Sequence, residues 1–422
     1  MASRAWWLFL VLMGPLVGVS FISAVRTYAE ASGLNGTSVG VGEAFSPLIG
    51  VWAPTFSACE LAAAFLFPFV AIRLAAGDRQ SGALKMELQH PISSFARMAT
   101  KGLVLLLGWL LAMLAPLAAV ALWKSYGGST YAPELFTVFS GHLLNASLTI
   151  ALAFATASLT VNPSTAAIVT LAVTVGSWIL SFIAAVQGGW WERAAGYTPT
   201  ALVAEFQHGL VRLDAVTIAL VLIVSGFAVA AIWMRLGIDV RRRAYESVAL
   251  FAAAAFVIFG CSLINRSHDF SENRMNSFSI ADERALREIN SPLHIEVHLA
   301  PEDPRRADLD RRALSKLRRV LSNLQVDYVS STSIGIFEQT NPNYGEIWYL
   351  MDGRKIVSRI TTQEGVLESV YSVAGVPPPG DDSDIFRGHP LAVPPRGAPF
   401  VFYGVWPILV VCVAFFFQRS RS

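Results

Sequence analysis

The chain has 422 residues, of which 54% are apolar and only 15% charged, with 32 Lys and Arg against 30 Asp and Glu. A soluble globular domain carries about a quarter charged residues, so a wholly soluble protein is excluded. A net charge of +2 gives no reason to expect a nucleic-acid partner.

The charge deficit is local. Apolar runs near the bilayer-spanning length of about 20 residues alternate with short polar stretches. They predict eight helices, at 5–25, 56–76, 102–123, 141–161, 165–186, 215–235, 246–264 and 399–417. Only Asn162-Pro163-Ser164 separates the fourth from the fifth, a turn that rests on the helix-breaking power of proline. The first run is long and lacks a clear small-x-small cleavage site, so it reads as a helix and not as a signal peptide. Pro15, Pro68 and Pro116 fall inside spans and predict kinks.

Basic residues predict the orientation. With the N-terminus inside, the inner ends carry Arg4, Arg73, Arg79, Lys85, Arg97, Lys101, Arg235, Arg241, Arg242, Arg243, Arg419 and Arg421. The short outer loops carry only Arg26, Lys124, Arg193 and Arg212, the asymmetry expected when cytoplasmic loops are basic. An even number of spans returns the C-terminus to the cytoplasm and leaves 265–398 on the far side. Cys59, Cys261 and Cys412 all fall in or beside predicted spans, so the outer segment has no disulfide framework.

Between the second and third spans, Leu84, Leu88 and Phe95 stand among charged residues and predict an amphipathic stretch on the inner surface, which Pro91 then breaks. An interfacial helix covering the membrane boundary is the plainest reading. Glu60 and Arg73 mark the two ends of the predicted second span, about 20 Å apart by helical rise. Both are expected to reach an interface, with Glu60 also a candidate for lining a translocation path. Trp190 and Trp191 read as bilayer-surface anchors, and His142 as a packed or interfacial side chain and not a ligand.

The order of residues in that inner segment resembles the corresponding segment of ABC-2 type transporter permeases. The resemblance is carried by the acid-base pair Asp78-Arg79, Gly82, Leu84 and Leu88, the Pro91 and Ser93 turn, and Lys101 at the start of the next span. Ala83 and Glu87 depart from the family pattern, which has threonine and more often an aliphatic residue there. The resemblance also covers six spans with an excursion of short outer helices before the sixth, matched by 187–214. It implies that Asp78, Arg79, Gly82, Leu84, Leu88, Pro91 and Lys101 form a coupling surface for a separate cytoplasmic ATPase. A second permease copy, or a related permease, is implied as well. No Walker A pattern occurs in the sequence, so ATP is expected on the partner subunit, with no cofactor in this chain and no enzymatic activity of its own.

The outer segment predicts a small α/β layer. A helix runs through Ala285, Leu286 and Ile289, and 293–299 alternates apolar and polar residues like a half-buried strand. Residues 307–324 have helical spacing through Leu309, Ala313, Leu317, Val320, Leu321 and Leu324. Strands follow at 326–329, 346–350 and 356–360, the last two joined by an Asp352-Gly353 turn, and Thr362 caps a helix to about Ala374. Residues 377–398 form a Pro/Gly/Asp linker.

This segment resembles the extracytoplasmic part of the auxiliary component of gliding-motility-associated ABC transporters. Asp269-Phe270-Ser271, Asn276 to Ile280, 286–297 and the stretch from Asp352 to Gly375 carry that resemblance. His294, Glu296 and His298 share one strand face, but i and i+4 on a strand lie about 13 Å apart. They read as a solvated face and not as zinc ligands. The basic helix face of Arg305, Arg306, Arg311, Arg312, Lys316, Arg318 and Arg319 reads first as a solvated face; the alternative makes Arg311, Arg312, Arg318 and Arg319 the candidate face for an acidic extracytoplasmic protein or for anionic lipid headgroups.

The expected architecture is therefore a polytopic α-helical membrane protein with a small extracytoplasmic α/β domain. Its segments are 1–245 (six-helix permease), 246–264, 265–376 (the domain), 377–398 and 399–422. The resemblance implies an ABC-2 type exporter subunit in a bacterial inner membrane. A non-transporting scaffold or sensor, whose outer domain binds an envelope partner, is the alternative.

Overall fold

The computed structural model describes residues 4–32, 46–80, 91–187, 190–235, 237–264, 266–300, 303–329, 343–380, 388–391 and 396–419, without the side chains of 78–80, 185–187 and 192–193. The chain forms two compact units. One comprises Met1–Leu180, Ala195–Asn265 and Phe386–Ser422, and the other Ser181–Ala194 and Arg266–Ile385. The expected seventh and eighth spans thus share a unit with the first six, apart from the last residues of the fifth.

Among the described residues, eight helices are long and apolar enough to cross a membrane. They are span one (Arg4–Ala31), span two (Leu48–Gly77), span three (Ser94–Ser125), span four (Ala132–Leu159), span five (Pro163–Ala184), span six (Leu213–Trp233), span seven (Val240–Ser262) and span eight (Phe400–Arg419). Each contains one expected run almost entirely. The largest departures are at the starts of spans two, three and four, which begin eight, eight and nine residues earlier than expected.

The prolines act where their missing N–H dictates. Pro116 cannot bond the carbonyl four residues back, and span three breaks at Met113, between Ser94–Ala112 and Leu114–Ser125. Pro68 deprives Ala64 of the same partner, and the Thr174 hydroxyl of span five donates to the Ala64 carbonyl at 3.2 Å instead. Span two also contains two π turns, Leu48–Trp52 and Ala62–Leu66, and span eight opens on a third at Phe400–Val405.

Span eight lies against span one. Gly14 and Gly18, one helical turn apart, leave a notch filled by Trp406 and Phe402, themselves one turn apart. A Cβ on Gly14 would lie 2.1 Å from the Trp406 ring, and one on Gly18 would lie 2.5 Å from Phe402. Further bonds hold the chain leading into span eight: Tyr28 Oη donates to the His389 carbonyl, the Leu391 N–H to Ser32 Oγ, and Tyr126 Oη to the Arg396 carbonyl.

Before span six come two short helices, α1 (Trp190–Ala195) and α2 (Pro199–Gln207). The Thr198 hydroxyl caps α2 by accepting from the Ala201 N–H at 3.3 Å. The Trp190 and Trp191 rings lie 4.4 Å apart, and Trp190 is exposed.

The second unit contains a two-layer α/β fold. Its elements are α3 (Ile280–Arg287), β1 (Leu293–Val297), the consecutive pieces Pro304–Leu309, Asp310–Leu314 and Ser315–Val320 that together make α4, β2 (Leu324–Tyr328), β3 (Ile347–Met351), β4 (Arg354–Ser358) and α5 (Gln363–Ala374). The sheet order is β2-β1-β3-β4, with β1 and β2 parallel across the α4 crossover and the remaining pairs antiparallel. Leu293, Ile295 and Val297 face a core shared with Ile347, Tyr349, Leu314, Leu317, Val366 and Val370.

The element boundaries of this fold shift by a few residues from expectation, and the largest shift is at the end of α4. Leu324 lies in β2 and not in the preceding helix, because the backbone turns extended at Leu321 and reverses through Ser322-Asn323. Both the helical and the strand period carry Leu324 towards the same core, so spacing alone could not separate them.

Asp269, in the motif linking span seven to this fold, is a structural node. Its carboxylate accepts from the Ser271 N–H and hydroxyl and from the Asn276 N–H and side-chain amide. Phe278 is then fully buried in the core, and Ser279 caps α3.

Candidate functional site: a polar seam in the membrane unit

Span four carries a stripe that an inert membrane helix has no reason to bury. Glu134, His142, Asn145, Thr149 and Thr156 are all buried. At about 100° per residue they fall within an arc of roughly 80°, over roughly 33 Å of helix. That is about the thickness of a bilayer's hydrocarbon core. Polar groups at such depth are costly and face protein or water.

Partners come from the neighbouring helices. His142 Nε2 lies 3.3 Å from the Gln207 amide nitrogen of α2, and its ring packs on Phe56 of span two with centroids 5.5 Å apart. His142 Nδ1 has no partner among the described residues. The hydroxyls of Thr156 and Thr170 meet at 2.7 Å between spans four and five. Further along span five, Ser177 meets the Thr200 hydroxyl of α2, also at 2.7 Å.

Glu60 lies at the edge of this seam. Span two starts at Leu48, so Glu60 is close to the middle of a 30-residue helix and not near its end as expected. The sequence expectation failed because the extra turns run through Pro47 and Pro54, which interrupt the apolar run at Leu48–Trp52. Glu60 is half-buried, and its Oε1 accepts from the Trp178 indole N–H of span five at 2.9 Å. Phe65 meets the same indole edge-on, with centroids 5.7 Å apart and planes at 75°. Trp178 escaped sequence reasoning. The Thr170, Thr174 and Ser177 spacing of span five, one polar side chain per turn, was the signal that could have found the seam.

At the α2 end of span six, Arg212 bridges Glu205 at 2.7 Å and Asp214 at 2.5 Å. Burial alone would lower the Arg212 pKa, but the two carboxylates outweigh it and raise it.

The expected coupling surface is only partly described. Gly82, Leu84 and Leu88 lie outside the described residues, as do the side chains of Asp78 and Arg79, whose backbone continues the helix of span two. Beyond them Pro91 is exposed, the Ser93 hydroxyl caps span three by accepting from the Ala96 N–H at 3.1 Å, and Lys101 is half-buried on that helix.

In the second unit the basic side chains of α4 are largely engaged within the fold. Arg311 pairs with Asp308 at 3.1 Å, Arg318 donates to the Tyr328 hydroxyl at 3.2 Å, and Arg319 donates to the Asn276 carbonyl. Arg312 is exposed. Arg306 lies over the Tyr328 ring at 4.0 Å, and Lys316 is buried against Gln363 and the Ser277 carbonyl.

His294 and Glu296 are half-buried and share a sheet face, whereas His298 is buried against Trp348, with ring centroids 4.3 Å apart. His294 pairs with Asp327 at 2.8 Å across β1 and β2, which holds the Asp327 pKa down. No group of three or more His, Cys, Asp or Glu among the described residues has the geometry to hold a metal ion. No family model, curated protein or solved structure matches this chain.

Proposed function

We propose that the chain is the membrane-spanning permease subunit of an ABC-2 type exporter in a bacterial inner membrane, driven by a separate cytoplasmic ATPase. The observation that carries this reading is the buried polar seam, which runs the length of span four in a protein of eight apolar helices. A stripe of that length suits a path for a polar or amphiphilic solute. The basic segment between spans two and three, on the side rich in Lys and Arg, suits contact with the ATPase. ATP-driven closure of the ATPase would push residues 78–101 and shift the helices attached to them. Both termini are then cytoplasmic, the domain after span seven is extracytoplasmic, and a second permease copy or related permease completes the assembly.

The test replaces Leu84 and Leu88 together with Asp. Two unpaired carboxylates in a buried interface cost several kcal/mol, against about 8–12 kcal/mol for a whole micromolar-to-nanomolar association. The variant is expected to insert normally yet lose its ATPase on purification and lose transport in liposomes. Normal ATPase yield at the unmodified hydrolysis rate would remove residues 78–101 as the coupling element and favour a scaffold or sensor. Arg311→Ala with Arg312→Ala, in the domain assigned to the opposite side of the membrane, is the control and leaves ATPase binding intact.

A further inference from the structure

The helix of span two is rewound just after Glu60, at Ala62–Leu66. In a regular α-helix Phe65, five residues on, would point about 140° away from Glu60. The π turn Ala62–Leu66, closed by the Phe67 N–H on the Ala62 carbonyl, carries Phe65 back round the helix. Both side chains therefore meet Trp178 of span five, the carboxylate through the indole N–H and the phenyl ring edge-on. Single π turns inside α-helices concentrate at functional sites.

The result is a carboxylate beside two aromatic rings set nearly at right angles. Glu60, Phe65 and Trp178 are all only half-buried. Among the described residues Glu60 has no basic partner, and the indole satisfies one oxygen only. On the same two helices Leu61, Phe69 and Ile179, close in sequence to Glu60, Phe65 and Trp178, are exposed and apolar. A carboxyl group in this position, near the middle of span two and only half-buried, suits a cation brought by something else. Rings at right angles with a carboxylate suit an organic ammonium, which gains from both the charge and the ring faces.

We propose that Glu60, Phe65 and Trp178 form an open, lateral binding site for the ammonium headgroup of a membrane amphiphile, whose alkyl chain stays in the hydrocarbon beside spans two and five. As a statement about transported substrate this rests on the exporter reading; as a binding site it does not. Its occupant is a single-headed cationic amphiphile, and an anionic or uncharged one of equal chain length is disfavoured.

The experiment uses the full chain in nanodiscs of an uncharged galactolipid, which brings neither competing amines nor background charge. Radiolabelled hexadecyltrimethylammonium, hexadecyl sulfate and hexadecanol are the probes, with protein-free discs as the blank. Saturable binding of the cation at one site per chain is expected, at least tenfold tighter than the sulfate or the alcohol. Glu60→Gln keeps an oxygen for the Trp178 N–H but removes the charge, and should weaken cation binding at least tenfold without lowering the melting temperature. Trp178→Leu should weaken it as well. Equal uptake by loaded and protein-free discs, or unchanged binding in Glu60→Gln, overturns the proposal. Binding without ATP-dependent transport of the cation overturns the exporter reading for this ligand and leaves the site standing. Transport of other solutes with no cation binding overturns the site alone.

Discussion

Trp406 donates its indole N–H to the carbonyl oxygen of Leu10 at 2.8 Å, while its ring fills the space that Gly14 leaves open. Leu10 is one residue before Val11, whose carbonyl loses its helical donor because Pro15 has no N–H. Leu10 and Gly14 offer a backbone oxygen and an open groove one turn apart, and one side chain of span eight uses both.

Removing the groove should therefore cost more than removing the bond. Gly14→Ala places a methyl against the indole and should destabilise the protein by about 1–3 kcal/mol. Trp406→Phe keeps an aromatic ring and loses one hydrogen bond, about 1 kcal/mol. Gly176→Ala is the control, since a Cβ there meets nothing within 4 Å. Thermal unfolding of the purified protein in detergent ranks the three, and a neutral Gly14→Ala would show that the notch is not tightly filled.

The Thr156 and Thr170 hydroxyls, 2.7 Å apart, tie spans four and five. Hydrogen bonds between membrane helices average about 0.6 kcal/mol and reach about 1.7 kcal/mol. A double-mutant cycle with Thr156→Val and Thr170→Val should give a coupling in that range. A coupling of zero would mean that each hydroxyl is satisfied equally well within its own helix.

Asp303 gives the α/β fold an acid limit. Hydrogen bonds from the Arg305 side chain lead the causes that hold its carboxyl at about 2, against an ordinary 3.8, despite a smaller opposing effect of burial. A carboxyl depressed on folding contributes stability that is complete above its ordinary value and lost as pH falls through the folded value. Asp303→Asn should therefore be less stable than the unmodified protein at pH 6, with the gap closing between pH 4 and about 2. Urea titration read by pulse proteolysis of the α/β domain measures that gap, and a pH-independent gap would refute the assignment.

Topology has a direct chemical test. Cysteines introduced at Ser330 and Gly380 should react with an impermeant thiol reagent in intact spheroplasts, and one at Gln89 should not. Labelling at Gln89 alone reverses the proposed orientation.

The eight spans were legible because twenty consecutive apolar residues leave few alternatives. The turn at Asp352-Gly353 was legible for a different reason. Both residues have positive φ, at 49° and 76°, the backbone that a tight hairpin requires and that this pair tolerates best. Thr362 as the cap of α5 follows from its hydroxyl accepting from the Gly365 N–H. Glu60 was misjudged because apolar periodicity reports how long a span is only where no proline interrupts it. Its partners could not be read at all: the Glu60 to Trp178 contact joins positions 118 residues apart, and no local pattern encodes such a pairing. The π turn that brings Phe65 into the site is equally silent, since Ala62-Ala63-Ala64-Phe65-Leu66 suits an α-helix just as well.

The notch in span one has a consequence for biogenesis. Gly14 leaves the ribosome roughly 390 residues before Trp406, and at about 5–20 residues per second that interval is on the order of 20–80 s. Throughout it span one is in the bilayer with its groove unfilled and the Leu10 carbonyl without its indole donor. Span one thus inserts well before its groove is completed, and any nascent chain released before span eight emerges carries an open, sticky groove that quality-control proteases or a neighbouring small-residue helix could recognise.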